Sequence, residues 1–598
     1  MVDSTNFFTA LNGGGSSQIL GLSSGINTQE IVKALVAARR QPAVQLENKI
    51  SANDARLAAY GELRTLITDF KSALDGLRGE VGFFADSVFD NKVAFTQSRP
   101  SATAPGGHVA SSADSILGVS VSDKAQPGVH TVEVQQLARA HQLRTDAVAD
   151  KGATLASQGI TTGTFDINGQ TINVDGDDSL IDLRDKINSS GAGVKATVVS
   201  ASPTQHFLVI NAEDTGVVNT ISFGGGTATS DSLGITDGVG GIKNELQAAA
   251  DAIIEVDNLG VSVVRSSNTF DDVIEGVTID LFRAEPDTEI EIEVENDLGA
   301  VKEKIIALVD AFNAFKDFVD DQRAQVVREE GGEAEYGPLA FDTTLRSLNT
   351  QIGQLIGQTV PGQPTGAQTF GQVGIDLNAN YRLEIDDDTL DNQLLTNFDN
   401  LKGLFEFNFS SNDSRVSLAG FNGQVSGQVD GSGNPIPYYL NVGGTDATGN
   451  VTSANIQTAA GLGLGGGADG STSVNGKQIS ALDPTGANGL RLFYDGGISQ
   501  PGADGIEFTV TRGIADQLYY VLDRFVGETG GGSIAENEQS IIKQNDGYNR
   551  RISDIEARVE LFRARTVARF AAMEQAVLTA NNLKESLSSA FESANSQK

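Results

Sequence analysis

Four histidines, His108, His130, His141 and His206, are the side chains best suited to hold a metal or move a proton near neutral pH. A zinc site needs paired His or Cys ligands at short, regular spacing. These four are dispersed, none stands at ligand spacing, and the chain has no Cys. His130 falls inside an alternating strand pattern and reads as a strand residue. Two acidic clusters, Asp175-Gly-Asp-Asp178 and Asp386-Asp-Asp388, could offer oxygens to calcium. Neither has the full ligand pattern with a closing Glu, so both read as solvated turns. Carboxylate pairs able to cleave a glycoside are always found among 78 acidic residues, so they discriminate nothing.

Gly461-Leu-Gly-Leu-Gly-Gly-Gly467 superficially resembles a phosphate loop. It lacks the Gly-Lys-Ser/Thr ending and the strand-loop-helix context, and reads as a flexible turn. No Gly-x-Ser-x-Gly nucleophile elbow sits between a strand and a helix, and Ser533, after a run of glycines, has no His near it in sequence. The expectation is a protein without catalytic residues, cofactor or metal.

Charge narrows the partners. Lys and Arg number 42 against 78 Asp and Glu, a formal net charge of −36. Such a surface repels nucleic acid and anionic membranes and keeps a Gly-rich chain soluble. No run approaches the ~20 apolar residues of a membrane span. The absence of Cys excludes a disulfide framework. Residues Met1 to Ser17 are polar and Gly-rich, without a basic stretch leading into an apolar run, so a cleaved secretory signal is not expected. At 598 residues, several domains are expected.

The elements alternate along the chain. Asn27 or Thr28 caps a helix with Ile31, Leu35 and Val36 on one face, and Pro42 is expected to interrupt it. A second apolar stripe follows through Leu46, Ile50, Leu57, Leu63, Leu66, Phe70, Leu74 and Leu77. From Asp86 to Glu295 short strands such as His130–Val134, Phe207–Ile210 and Ile253–Val256 alternate apolar with polar, and a helix opens at Ser179. Helical periods return over 298–327, 341–356 and 398–405. Residues Phe407 to Arg512 turn Gly-rich and β-like, and Ile514 to Phe525 is again helix. A flexible joint is read at Thr529–Ser533. From about Ser540 to Ser593 no Pro intervenes. Ile552, Ile555, Val559, Phe562, Thr566, Phe570, Met573 and Val577 step by three or four residues as a coiled-coil seam, continued through Leu583, Leu587 and Phe591. Arg550, Arg551, Arg558, Arg563, Arg565 and Arg569 concentrate positive charge there. The seam suits a buried bundle helix or a coiled coil joining other subunits.

The fold class is therefore α+β and multidomain: terminal coiled-coil helices and a helical bundle stem with inserted β-rich head domains. The expected divisions are 1–43, tail and leg helix; 44–85, stem helix; 86–145 and 247–297, two parts of a head domain; 146–246, an outer head domain; 298–406, helical stem; 407–512, an additional β insertion; 513–555, stem helices; and 556–598, a C-terminal leg. Ile31, Leu35, Ile552, Ile555, Val559, Phe562, Phe570, Met573, Val577, Leu583 and Leu587 are the expected leg-packing and oligomer contacts.

This order resembles the bacterial flagellar filament-cap family, hook-associated protein two. The segments that carry the likeness are Gly21–Thr28 with Ile31–Leu35, Gly128–Ala138, Ser267–Thr278, Gly337-Pro-Leu339 and Val373–Asp376. Ser179–Ile187, Gly191–Ala196 and Leu208–Gly216 are similar to a small insertion module of flagellins and their caps. The resemblance implies a homo-oligomeric ring, typically a pentamer, at the distal filament tip, where it retains exported flagellin and promotes its folding and polymerisation. It further implies hook–filament junction proteins, an export chaperone and the flagellar type III secretion apparatus as partners, and an extracellular location reached without a cleaved signal peptide. The insertion 407–512 departs from many family members. A surface adhesin, a hook–filament junction subunit, or a secreted hydrolase using 407–512 are the competing readings.

Overall fold

The computed structural model describes residues 27–79, 87–239, 241–325, 335–427, 429–430, 434–458, 472–482, 487–496, 506–527 and 532–595. The expectations for Met1–Ser17, Gly461–Gly467 and residues 529–531 of the joint lie outside them. The helices are α1 (Thr28–Leu74), α2 (Ala113–Ile116), α3 (Leu180–Ser189), α4 (Thr227–Ser232), α5 (Leu298–Arg323), α6 (Thr343–Ile356), α7 (Asp387–Thr396), α8 (Phe398–Phe405), α9 (Ile514–Val526) and α10 (Gly532–Asn595). The chain divides into two compact units. One joins Met1–Ala85 to Lys304–Lys598, and the other is Asp86–Glu303.

In the first unit, Asn27 starts α1 by accepting the Glu30 amide at 3.2 Å. The expected break at Pro42 does not occur, and α1 runs unbroken through it, so a boundary at 43 cuts one helix. Proline inside a helix costs ~3 kcal/mol or more through a lost hydrogen bond and a clash. Residues on both sides of Pro42 are packed, Val32 and Ala43 among them, and that packing holds the helix together. The far half of α1 enters the stem core with Tyr60, Leu63, Ile67, Phe70 and Leu74 fully buried. Phe70 meets Phe312 of α5 edge-on, ring centroids 6.3 Å apart. Helix α9, carrying buried Leu518 and Leu522, packs on α1, α6, α8 and α10. Each such aliphatic or aromatic side chain contributes ~1.5–3 kcal/mol on burial. The expected division at 555 also falls inside a single helix, α10, whose first residues are Gly532 and Ser533.

In the Gly-rich stretch the first strand begins at Phe407 and the last ends at Arg512. It is two antiparallel four-stranded sheets. One has the order Phe407–Ser411, Ile506–Arg512, Tyr438–Thr445, Val451–Thr458, and the other Val416–Gly420, Arg491–Tyr494, Gln478–Ala481, Thr472–Asn475. Tyr438, Leu440, Ile456, Ile479, Leu492, Tyr494 and Phe508 share one core between them. Entry and exit lie side by side, since the Gly513 amide donates to the Glu406 carbonyl at 2.7 Å. A Cβ on Gly513 would stand 2.2 Å from the Phe405 carbonyl carbon, so only glycine fits this crossing.

The second unit holds two cores. Val132, Val134, Ile254, Phe270, Ile279, Ile290 and Ile292 form one. Its main sheet is antiparallel, in the order Lys92–Pro100, Thr288–Asn296, Gly128–Gln136, Ala252–Val256, Ser262–Arg265. The other core gathers Leu143, Phe165, Leu183, Ile187, Leu208 and Ile210 under α3. The cap expected at Ser179 is a full capping box: Ser179 Oγ accepts the Asp182 amide, and the Asp182 carboxylate accepts the Ser179 amide.

Candidate assembly surface on the terminal helices

Helices α1 and α10, from opposite ends of the chain, run antiparallel. Arg64 meets Glu538, Asn53 donates to Asn545 at 2.8 Å, and Arg39 lies 5.1 Å over the Phe562 ring. Positions thus fall along α1 as they rise along α10. Arg40 joins Glu47 at 2.5 Å and Glu556 at 3.1 Å, and these carboxylates raise its pKa further. Exposed ion pairs contribute only ~0–1 kcal/mol each, so they do not by themselves fix the register.

Two regimes of packing meet along this pair. Toward the stem, buried Tyr60 donates from its hydroxyl to Asp342 at 2.6 Å. Asp342 also caps α6, accepting the amides of Thr344 and Leu345 at 2.9 and 3.1 Å. Burial first, and then this bond to a carboxylate, raises the Tyr60 phenol above its ordinary range. Away from the stem, the seam opens. Ile552, Ile555, Val559, Phe562, Phe570, Met573 and Val577 are half-buried. Ile31 and Leu35 are 39% and 41% exposed, while Val32 is the buried residue of that turn. Leu583 and Leu587 are exposed. A pair of helices leaves the flanks of its seam open to further helices.

Between the regimes sits a polar pair. Asn53 is buried, and Asn545 passes the connection on by donating to Asp54 at 2.9 Å. Sequence reasoning missed Asn53, Asn545, Tyr60 and Asp342. The available signal was Asn53 itself, a polar residue on the apolar stripe between Ile50 and Leu57.

At the root of the insertion, the Arg512 guanidinium binds Asp516 at 2.5 Å. Asp516 is fully buried, and burial raises its carboxyl pKa against the pull of Arg512 and Arg78. Its second oxygen, Oδ1, finds no hydrogen-bond partner among the described residues. The Arg78 guanidinium stands 3.7 Å over the Tyr519 ring. This network joins the end of a strand to the first turn of α9, and no local pattern in sequence announced it.

The groups first weighed for chemistry have local partners. His130 pairs with Asp257 at 2.9 Å, and His141 with Glu245 at 3.1 Å. His108 meets Thr288 and His206 meets Ser200. Lys186 neutralises Asp175 and Asp178 at 2.8 and 2.6 Å, and hydrogen bonds from Lys186 and Asn173 lower the Asp175 pKa. Asp386 caps α7. Among the described residues no group of three or more His, Cys, Asp or Glu could hold a metal.

Comparison with known proteins gives the chain relatives. The sequence model for the flagellar hook-associated protein 2 C-terminus matches residues 249–582, and the one for its N-terminus matches 24–141. The flagellin hook IN motif matches 161–214. The chain is 28% identical over 410 residues to the A-type flagellar hook-associated protein 2 of Pseudomonas aeruginosa, covering 65% of this chain and 80% of that protein. It is 27% identical over 383 residues to the flagellar hook-associated protein 2 of Escherichia coli K12, covering 62% and 76%. Among solved structures, the D1-D2-D3 domains of the Escherichia coli flagellar cap protein FliD align over 58% of this chain and 90% of that one, with 24% identity and a TM-score of 0.44.

Proposed function

The chain belongs to the flagellar hook-associated protein 2 family, whose C-terminal model spans more than half of it, and from this membership we infer how it works as a flagellar filament cap. A cap sits at the filament tip as an oligomer, and the family match supports this reading. We assign the grip on the filament and on neighbouring copies to the terminal pair α1 and α10. The observation that carries the assignment is the half-buried seam from Ile552 to Val577, with Ile31, Leu35, Leu583 and Leu587 exposed beside and beyond it. A tightly closed helix pair would have no apolar surface left for a partner, and an unpaired helix would not hold its shape. In this reading Ile31, Leu35 and the α10 seam residues form contacts between copies in a ring, with flagellin and the hook–filament junction proteins as further partners.

The role is structural, without a catalytic step. The ring is a pentamer, and the chain reaches the tip unfolded, through the flagellar type III apparatus with a dedicated chaperone. A deletion strain complemented with Ile555→Asp and Phe562→Asp together tests the seam. The expected result is short or missing filaments in electron microscopy, with monomeric flagellin in the medium. Normal filaments from that double variant would sink the assignment.

A further inference from the structure

Arg551, Arg558, Arg565 and Arg569 are spaced by seven, seven and four residues on α10. At ~100° per residue the four lie within a stripe about 40° wide, and the row is about 27 Å long. All four are exposed. Arg558 donates to the backbone carbonyl of Asp554 at 3.1 Å, which steadies it without neutralising it. Among the described residues none of the four pairs with a carboxylate, although Arg563 beside them takes Glu560 at 3.2 Å. In a chain with 78 acidic residues, these four guanidinium groups thus stand in line without a counter-charge among the described residues. Like charges four residues apart, such as Arg565 and Arg569, weaken a helix by a few tenths of a kcal/mol. The row is distinct from the half-buried seam facing α1, lying roughly 80° around the helix from its centre.

Toward the C-terminus the same face continues as Leu583, Leu587 and Phe591, which are 62%, 52% and 74% exposed. We propose that this face docks an acidic amphipathic helix of a filament subunit. That helix presents carboxylates to the arginine row and apolar side chains to the leucines and Phe591. Charge complementarity commits the partner, since a guanidinium takes a carboxylate through two parallel hydrogen bonds. The apolar continuation sets the polarity of docking. The proposal rests on the cap reading and names the chemistry of its grip.

The test uses the full-length chain and two probes: fragments of purified filaments from the same bacterium, and a synthetic Glu-rich amphipathic peptide. Binding is measured by sedimentation and by calorimetry at low and high salt. The wild type binds both, more weakly as salt rises. Replacing all four arginines by Gln weakens binding at low salt by about tenfold or more, and this difference shrinks at high salt. Replacement by Lys keeps most of the binding, and circular dichroism reports the helix intact in both sets. Leu583→Ala with Leu587→Ala weakens filament binding without changing its salt slope. Unchanged affinity and salt slope in the Gln variant overturn the proposal and leave the cap reading standing. A wild type that ignores filaments yet binds the peptide through the arginines overturns the filament partner, and the cap reading with it. Equal competition by heparin, with no effect of the leucine changes, identifies a general polyanion surface and overturns the helix partner.

Discussion

Asn53 donates from Nδ2 to the side-chain oxygen of Asn545 at 2.8 Å, at the height where the tight stem packing of α1 gives way to the half-open seam. A buried polar pair inside an apolar helix contact fixes register at some cost in stability, because slipping either helix leaves amides unpaired.

Replacing both Asn53 and Asn545 by Leu is therefore expected to raise thermal stability and loosen the register. The chain has no Cys, so introduced thiols report cleanly. Cysteines at Lys49 and Tyr548, which face each other in the native register, should cross-link in the wild type. In the double Leu variant, cross-linking of position 49 to position 555, one heptad further on, should appear as well. Cross-linking confined to the native pair would show that the asparagines do not set the register.

Two glycines should respond oppositely to the same change. Gly513→Ala places a methyl against the Phe405 backbone and is expected to destabilise the stem by about 3 kcal/mol or more. Gly547 lies inside α10 with nothing near its missing Cβ, so Gly547→Ala should stabilise by ~0.5–1 kcal/mol. Urea unfolding of the two variants checks both signs. A mild Gly513→Ala would mean that the entry and exit strands separate easily.

Arg512→Met should expose the cost of burying Asp516. Removing one partner of a buried pair costs ~3–5 kcal/mol. The folded-state pKa of Asp516 is raised above its unfolded value, so its favourable contribution is present below the ordinary carboxylate range and lost as pH rises through the raised pKa. Without Arg512 the carboxyl rises further. The deficit of the variant against wild type should be large at pH 7 and smaller at pH 4. Equal deficits at both pH values in denaturant titrations would contradict this.

The fold was largely legible because its elements carry long, clean periods. The strands that start at Phe407 and end at Arg512 could be read because alternation begins and ends there, and the helical period of α10 because three-and-four spacing persists from Ile552 to Val577. Pro42 misled because a local rule met a helix packed on both sides of it. Ile31 and Leu35 satisfied the periodicity, yet Val32 is the buried residue; a stripe fixes a face only to within one position when the contact is a pair of helices. Tyr60–Asp342 and Arg512–Asp516 were invisible for a different reason. Tyr60 finds its partner 282 positions away, and the short spacing of Arg512 and Asp516 acquires meaning only once both are buried.

Arg40 and its partner Glu556 are separated by 516 positions, nearly the whole chain. The stem therefore cannot close until its last sixty or so residues have emerged, whatever has already folded between. Both β insertions pair their strands within their own bounds and are free to form early, whereas the first half of α1 waits for α10. Such long-range closure is slow, since the entropy of bringing distant ends together must be met before any contact rewards it. Completion of the terminal pair thus acts as a timer, and arrival of the C-terminus is the event that starts it.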